Sequence, residues 1–208
     1  TKEEFAVIRM HPSAGRAQID LIKDEPRKHL LGLIAEQHHE HIDGRGYPFG
    51  LKADKIAQLA RVVAIADVYD ALTSQRSYKD PYPPHIAYNI MKNLTVGQFD
   101  QSMLELFFQN VAVYPITTVM ETTVGIGIVK KVHFGKTLRP DICVFAERNG
   151  EFLKEPFMME LSEEPGVDIL RVLNDDELLA FIEKKGVDPF VFLAENYPLR
   201  SYSAGKII

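Results

Sequence analysis

Through the first 115 residues apolar positions recur at the three-to-four spacing of helices, and after Pro115 they gather into short β-branched runs. Thr1-Lys2-Glu3-Glu4 ahead of Phe5 is a capping box, so a short helix is expected from the first residue to about residue 10, ending near His11-Pro12. A second helix is expected over 14–22. Pro26 suits the start of a third, over about 27–40, which carries Leu30, Leu31, Leu33 and Ile34. Gly44, Gly46 and Pro48 then turn the chain into a shaped loop that lasts to about residue 52. Residues 56–74 read as a long helix with apolar residues on most faces (Leu59, Val62, Val63, Ile65, Ala66), the pattern of a helix in a bundle core. Pro84 opens a helix to about residue 93, and Asp100 caps another that carries Met103, Leu104, Leu106, Phe107 and Phe108. Beyond it, 119–132 and 142–146 read as strands, and Arg148-Asn149-Gly150-Glu151 as a hairpin turn. Residues 175–185 read as a last helix, stopped by Gly186. The expected class is α+β, with a mainly helical bundle over 1–116 and a small β-rich domain with a C-terminal helix over 117–208.

Composition narrows the function classes. A hydrophobic share of 46% and a charged share of 25% are those of a globular protein able to bury a core. The formal net charge of -5 argues against a long nucleic acid as partner. Cys143 is the sole cysteine, which excludes an internal disulfide and fits a reducing cytoplasm. No apolar run approaches the ~20 residues of a membrane span, so no membrane segment is expected in this chain.

The candidate chemistry is concentrated in His38-His39-Glu40-His41-Ile42-Asp43, followed by Gly44-Arg45-Gly46-Tyr47-Pro48. Imidazoles and carboxylates are the usual ligands of zinc, iron and manganese. On a helix His38 and His39 would point about 100° apart, which suits one metal each and a multinuclear site. Asp67 interrupts the apolar run 62–72, where burial would be costly unless the carboxylate were coordinated; Asp70 follows a turn later on the same face. The plainer reading of Asp67 is a carboxylate bonded to an arginine or to helix N–H groups. The plainer reading of His11, before Pro12, is a helix terminus. His29, His41, His85 and His133 read as surface or capping residues, and Cys143 as a small core residue in a strand.

The run 38–48 resembles the HHExxDGxGYP signature of the HD-GYP family, bacterial phosphodiesterases that act on cyclic di-GMP within the HD metal phosphohydrolases. Residues 1–15 resemble that family's T-x-E-E segment leading to a metal-binding histidine, which falls on His11. Residues 66–74 resemble its metal-ligand helix, with the ligand at Asp67. Arg76-Ser77-Tyr78-Lys79 resembles its R-x-Y-K stretch, which meets substrate phosphates. The resemblance covers residues 1 to about 115, as the downstream half of an HD-type bundle without its upstream helices. The His-Asp pair that names the family does not occur as a dipeptide in the sequence.

The resemblance implies that His11, His38, His39 and Asp67 hold two or three divalent metal ions, iron or manganese ahead of zinc. Such ions would lower the pKa of an attacking water and neutralise charge on the phosphoryl oxygens. Asp67 and Asp70 would be the catalytic carboxylates, with Asp70 orienting the water. Tyr47, Arg76 and Lys79 would bind substrate, Arg76 as a planar fork and Lys79 as a point charge. Glu40 and Asp43 would orient the histidines. The implied function is hydrolysis of cyclic di-GMP to the linear dinucleotide and on to GMP. The alternatives are a degenerate, non-catalytic module that binds nucleotide or a protein partner, a second copy of the chain included, and an HD-type hydrolase of another phosphorylated substrate.

Overall fold

The computed structural model describes residues 1–76, 79–93 and 96–184. The chain divides into two compact units, Thr1–Val113 and Tyr114–Ile208. Helix α1 (Lys2–Ile8) opens on the expected capping box. The Thr1 hydroxyl accepts from the Glu4 N–H at 3.2 Å, and the Glu4 carboxylate accepts from the terminal amine at 2.6 Å. Helix α2 (His11–Asp20) begins earlier than the spacing predicts. Pro12 sits in its first turn, where a missing N–H costs nothing, so His11 opens this helix instead of closing the one before. Helix α3 (Lys28–Gln37) stops short of the expected residue 40, and His38 becomes its C-cap.

After the loop, a single 3-10 turn (Ala53–Lys55) leads into α4 (Gln58–Thr73). Helices α5 (Pro84–Asn93) and α6 (Gln101–Asn110) follow, and the Asp100 carboxylate accepts from the Met103 N–H at the start of α6. The core of this unit contains Ile56, Ala60, Ala64, Ile65, Met91, Leu104 and Phe108. Each large apolar side chain so buried contributes about 1.5–3 kcal/mol. The expectation that α4 is buried on most faces is corrected: its buried residues are Ala60, Ala64 and Ile65, while Leu59 and Val62 are exposed. A helix can be apolar in composition and still bury only one seam.

The second unit is an antiparallel sheet in the order β4-β3-β2-β1-β5, from β1 (Val119–Thr122), β2 (Ile126–Lys131), β3 (Asp141–Ala146), β4 (Phe152–Glu160) and β5 (Ile169–Val172). The run 119–132 is therefore two strands. It turns at Gly125, whose φ of 156° and whose approach to the Ala146 carbonyl leave no room for a Cβ. The hairpin expected at Arg148–Glu151 forms, but over three loop residues and not the two that Asn149-Gly150 signals: the Glu147 N–H donates to the Glu151 carbonyl, and Gly150, at φ 86°, donates its N–H to the Glu147 carbonyl. Strand β4 escaped prediction because it lies at the sheet edge. It carries Lys154, Glu155 and Pro156 and is largely exposed, so it lacks the alternation of a half-buried strand. Helix α7 (Asp175–Lys184) buries Ile182 against Val119, Ile128 and Phe145; the expected end at Lys185-Gly186 lies outside the described residues. His133 is not a plain surface residue, since its Nε2 lies 2.8 Å from the buried Asp141 carboxylate. The fold is α+β, and among the described residues no helix is long and apolar enough to cross a membrane.

Candidate metal centre

Three imidazoles from two helix ends meet at one point. His11, at the head of α2, places Nδ1 2.7 Å from the Ile8 carbonyl, and His38, at the tail of α3, places Nδ1 2.9 Å from the Ala35 carbonyl. A carbonyl has no proton to give, so both rings donate from Nδ1 and present Nε2 as a free base. Those two Nε2 atoms are 3.3 Å apart, and the Nε2 of His39 is 3.2 Å from that of His11. Nitrogens that carry lone pairs and face one another repel unless a cation lies among them. The three-imidazole donor set, with the His11 and His38 tautomers fixed by the backbone, fits a transition metal.

The expected division of His38 and His39 between two metals is corrected. That expectation assumed a continuing helix, but α3 ends at Gln37 and the two rings close to 4.2 Å between centroids. They share a site. Burial, reinforced by the neighbouring His38, pushes the His39 imidazolium down to about 4, against the opposing pull of Asp67. His39 is therefore neutral at pH 7, the form in which an imidazole can take a metal.

The loop after the histidines is fastened by its own carboxylates. Glu40 is buried, and its two oxygens accept from the N–H groups of Phe49 (2.7 Å) and Leu51 (2.8 Å). It thus grips the loop, not an imidazole. Asp43 accepts from the Arg45 N–H and Nε, and that guanidinium holds its carboxyl below the usual range. The N–H groups of Ile42 and Asp43 reach the carbonyls of Gln98 and Gly97. Gly46 lies so close to the chain behind it that a Cβ would stand 2.3 Å from the His41 nitrogen and 2.5 Å from the Glu40 Cα. Only hydrogen fits there.

The loop so fixed delivers Tyr47. Its N–H donates to the His39 carbonyl at 3.1 Å, and its ring stacks on the His39 ring at 4.7 Å and 27°. Burial raises its phenol, which stays protonated as a donor. The guanidinium of Arg9 lies 4.8 Å from the same ring. Sequence reasoning missed Arg9; its one signal is its place two residues before His11.

The carboxylates of α4 stand beside the three imidazoles and not among them. The Asp67 side chain is 44% exposed, so the premise of a buried carboxylate is corrected, although Ala64, one turn before it on the same face, is buried. An Asp67 oxygen is 4.0 Å from Nδ1 of His39, beyond a hydrogen bond. Asp70 accepts from the Ser74 hydroxyl at 2.7 Å and lies 4.0 Å from a guanidinium nitrogen of Arg76. Arg76 and Lys79 are paired through their backbones, and the Lys79 ammonium sits 3.9 Å over the Tyr82 ring. Ser77 and Tyr78 lie outside the described residues.

Residues 1–103 match the family model described as HD domain. The chain is 33% identical over 182 residues to a cyclic di-GMP phosphodiesterase of Pseudomonas aeruginosa, covering 87% of this chain and 41% of that protein. Because 182 residues exceed the whole of Thr1–Val113, that likeness continues into the second unit. A cyclic di-GMP phosphodiesterase of Thermotoga maritima is 36% identical over 109 residues, 52% of this chain and 29% of its own length. A 3'3'-cGAMP-specific phosphodiesterase of Vibrio cholerae is 33% identical over 110 residues, 52% of this chain and 20% of its own length. The chain thus spans about two fifths of the first of these relatives and under a third of the other two.

Proposed function

The chain belongs to the HD-domain family, in its HD-GYP branch, and from that premise we propose that it is a metal-dependent phosphodiesterase that opens cyclic di-GMP to the linear dinucleotide and carries it on to GMP. The observation that supports this most is the convergence of the His11, His38 and His39 imidazoles, with Tyr47 stacked on His39. His11, His38 and His39 would hold the metal, with Asp67 as the oxygen donor beside them; two or three divalent ions, iron or manganese ahead of zinc, suit the set. When bound, the metal supplies positive charge to the phosphoryl oxygens and acidifies the water to be used.

The protein's own groups supply the rest. A water attacks phosphorus in line, one P–O bond of the ring breaks, and the ribose oxygen leaves as a hydroxyl with one of the water's protons. Asp70 is exposed and fixed by Ser74, so it is free to accept a hydrogen bond from that water. Arg76 and Lys79, on the turn after α4, bind phosphate on the Asp70 side. Tyr47, its ring engaged by His39 and Arg9, offers a neutral hydroxyl for a hydrogen bond. Asp43 and Glu40 keep the loop in place.

The test is chromatography of cyclic di-GMP incubated with iron- or manganese-loaded protein. Appearance of the linear dinucleotide is expected; intact cyclic di-GMP at every metal loading would overturn the enzyme reading. A second reading has one observation in its favour: among the described residues, the group able to hold a metal comprises three histidines and no carboxylate. A non-catalytic nucleotide-binding module would show calorimetric binding of cyclic di-GMP without turnover.

A further inference from the structure

We infer that Arg9 is a substrate-binding residue, which holds the phosphate of a cyclic dinucleotide that is not being cleaved; this rests on the reading just given. A cyclic dinucleotide carries two phosphodiesters, and while one is at the metal the other needs a cation elsewhere.

Among the described residues of the helical unit, every other arginine has a carboxylate within 4.0 Å. Arg16 has Asp20 and Glu36, Arg27 has Glu25, Arg45 has Asp43, Arg61 has Asp100 and Arg76 has Asp70. Arg9 alone of these faces no acid. It is held by aromatic rings instead, at 4.8 Å from Tyr47 and 5.6 Å from Phe5. A guanidinium held by aromatic rings spends no N–H on a carboxylate and keeps its donors for an oxyanion.

Its position gives those donors a purpose. Arg9 caps α1 two residues ahead of the ligand His11, and its aromatic support is the ring that stacks on the ligand His39. A ligand that reaches from the three imidazoles across Tyr47 comes to Arg9. Arg76 and Lys79 lie past Asp70, on the carboxylate side, so the two cationic groups flank the centre from different elements.

The experiment compares metal-loaded wild type with Arg9→Gln and Arg9→Lys by calorimetry, using cyclic di-GMP and, separately, inorganic phosphate. Gln keeps most of the stem that packs on the rings, and Lys keeps the charge without the planar fork. Arg9→Gln is expected to weaken cyclic di-GMP about ten- to hundredfold, the loss of a charged hydrogen bond, and Arg9→Lys by less. Phosphate binding and metal content should match wild type, because on this assignment Arg9 meets only the phosphate held away from the imidazoles. In turnover, KM should rise with kcat changed far less. Wild-type cyclic di-GMP affinity in both variants would overturn the assignment of Arg9 and leave the proposed function standing. Equal weakening of phosphate and dinucleotide would overturn it too, by showing general damage to the centre. A wild type that binds phosphate but no cyclic dinucleotide would bring down the proposed function and the assignment with it.

Discussion

At the scale of single residues the centre depends on where protons sit. His11 and His38 each spend one nitrogen on a backbone carbonyl, which leaves the other basic and aimed. Replacing either with alanine should strip the protein of bound metal as read by elemental analysis, with circular dichroism unchanged. His39 gives a pH signature. Its folded-state value of about 4 lies below the ordinary 6.5, so as pH falls the unfolded chain takes up the proton first. The contribution to stability is complete above about pH 6.5 and is lost as pH falls through about 4. Thermal melts of metal-free protein should fall across that window, and His39→Gln should flatten the fall. Gly46→Ala should damage the site without touching a ligand, because its methyl would collide with the backbone that carries His39 to His41. Lower metal content in a folded chain would bear that out. Little of this detail could be read from residue types: the histidines stood out as candidate ligands, but the tautomers of His11 and His38 depend on carbonyls that no pattern marks.

At the scale of elements the informative failures came from helix ends. The period of apolar residues carries a helix past Gln37, yet α3 stops there, and so His38 and His39 converge when a helix would have spread them. The pattern of α4 suggested a helix immersed in the core, whereas its seam is narrow and leaves Asp67 half-exposed beside His39. In both places a hydrophobic count measured propensity and could not see which neighbours would be supplied. The loop was readable as a loop but not as a clamp. Glu40 stood next to two ligands in sequence, which made it look like their support; its partners lie nine and eleven residues on. Glu40→Ala should cost about 1–3 kcal/mol for each N–H left unbonded and lower turnover by freeing Tyr47. Glu40→Gln, which keeps one acceptor, should fall between. Urea unfolding with parallel assays would separate the two effects.

At the scale of the whole molecule, the order of helices before strands was legible, because the change from a three-to-four spacing to β-branched runs is abrupt. The edge strands were not, since edges are built to hide their nature. All three imidazoles lie in the helical unit. We propose that 1–116 and 117–208 fold as separate domains; a chain ended at residue 116 should then retain the metal stoichiometry of the longer one, and loss of metal would refute the division.

The stack of Tyr47 on His39 has a thermodynamic corollary. Whatever order a nucleotide imposes on that tyrosine is order that a metal no longer has to impose on the imidazole beneath it. Linkage makes such an effect mutual and equal, so each ligand would tighten the other by one common factor. Where free metal is scarce, occupancy of the centre would then rise with the concentration of the proposed cyclic dinucleotide.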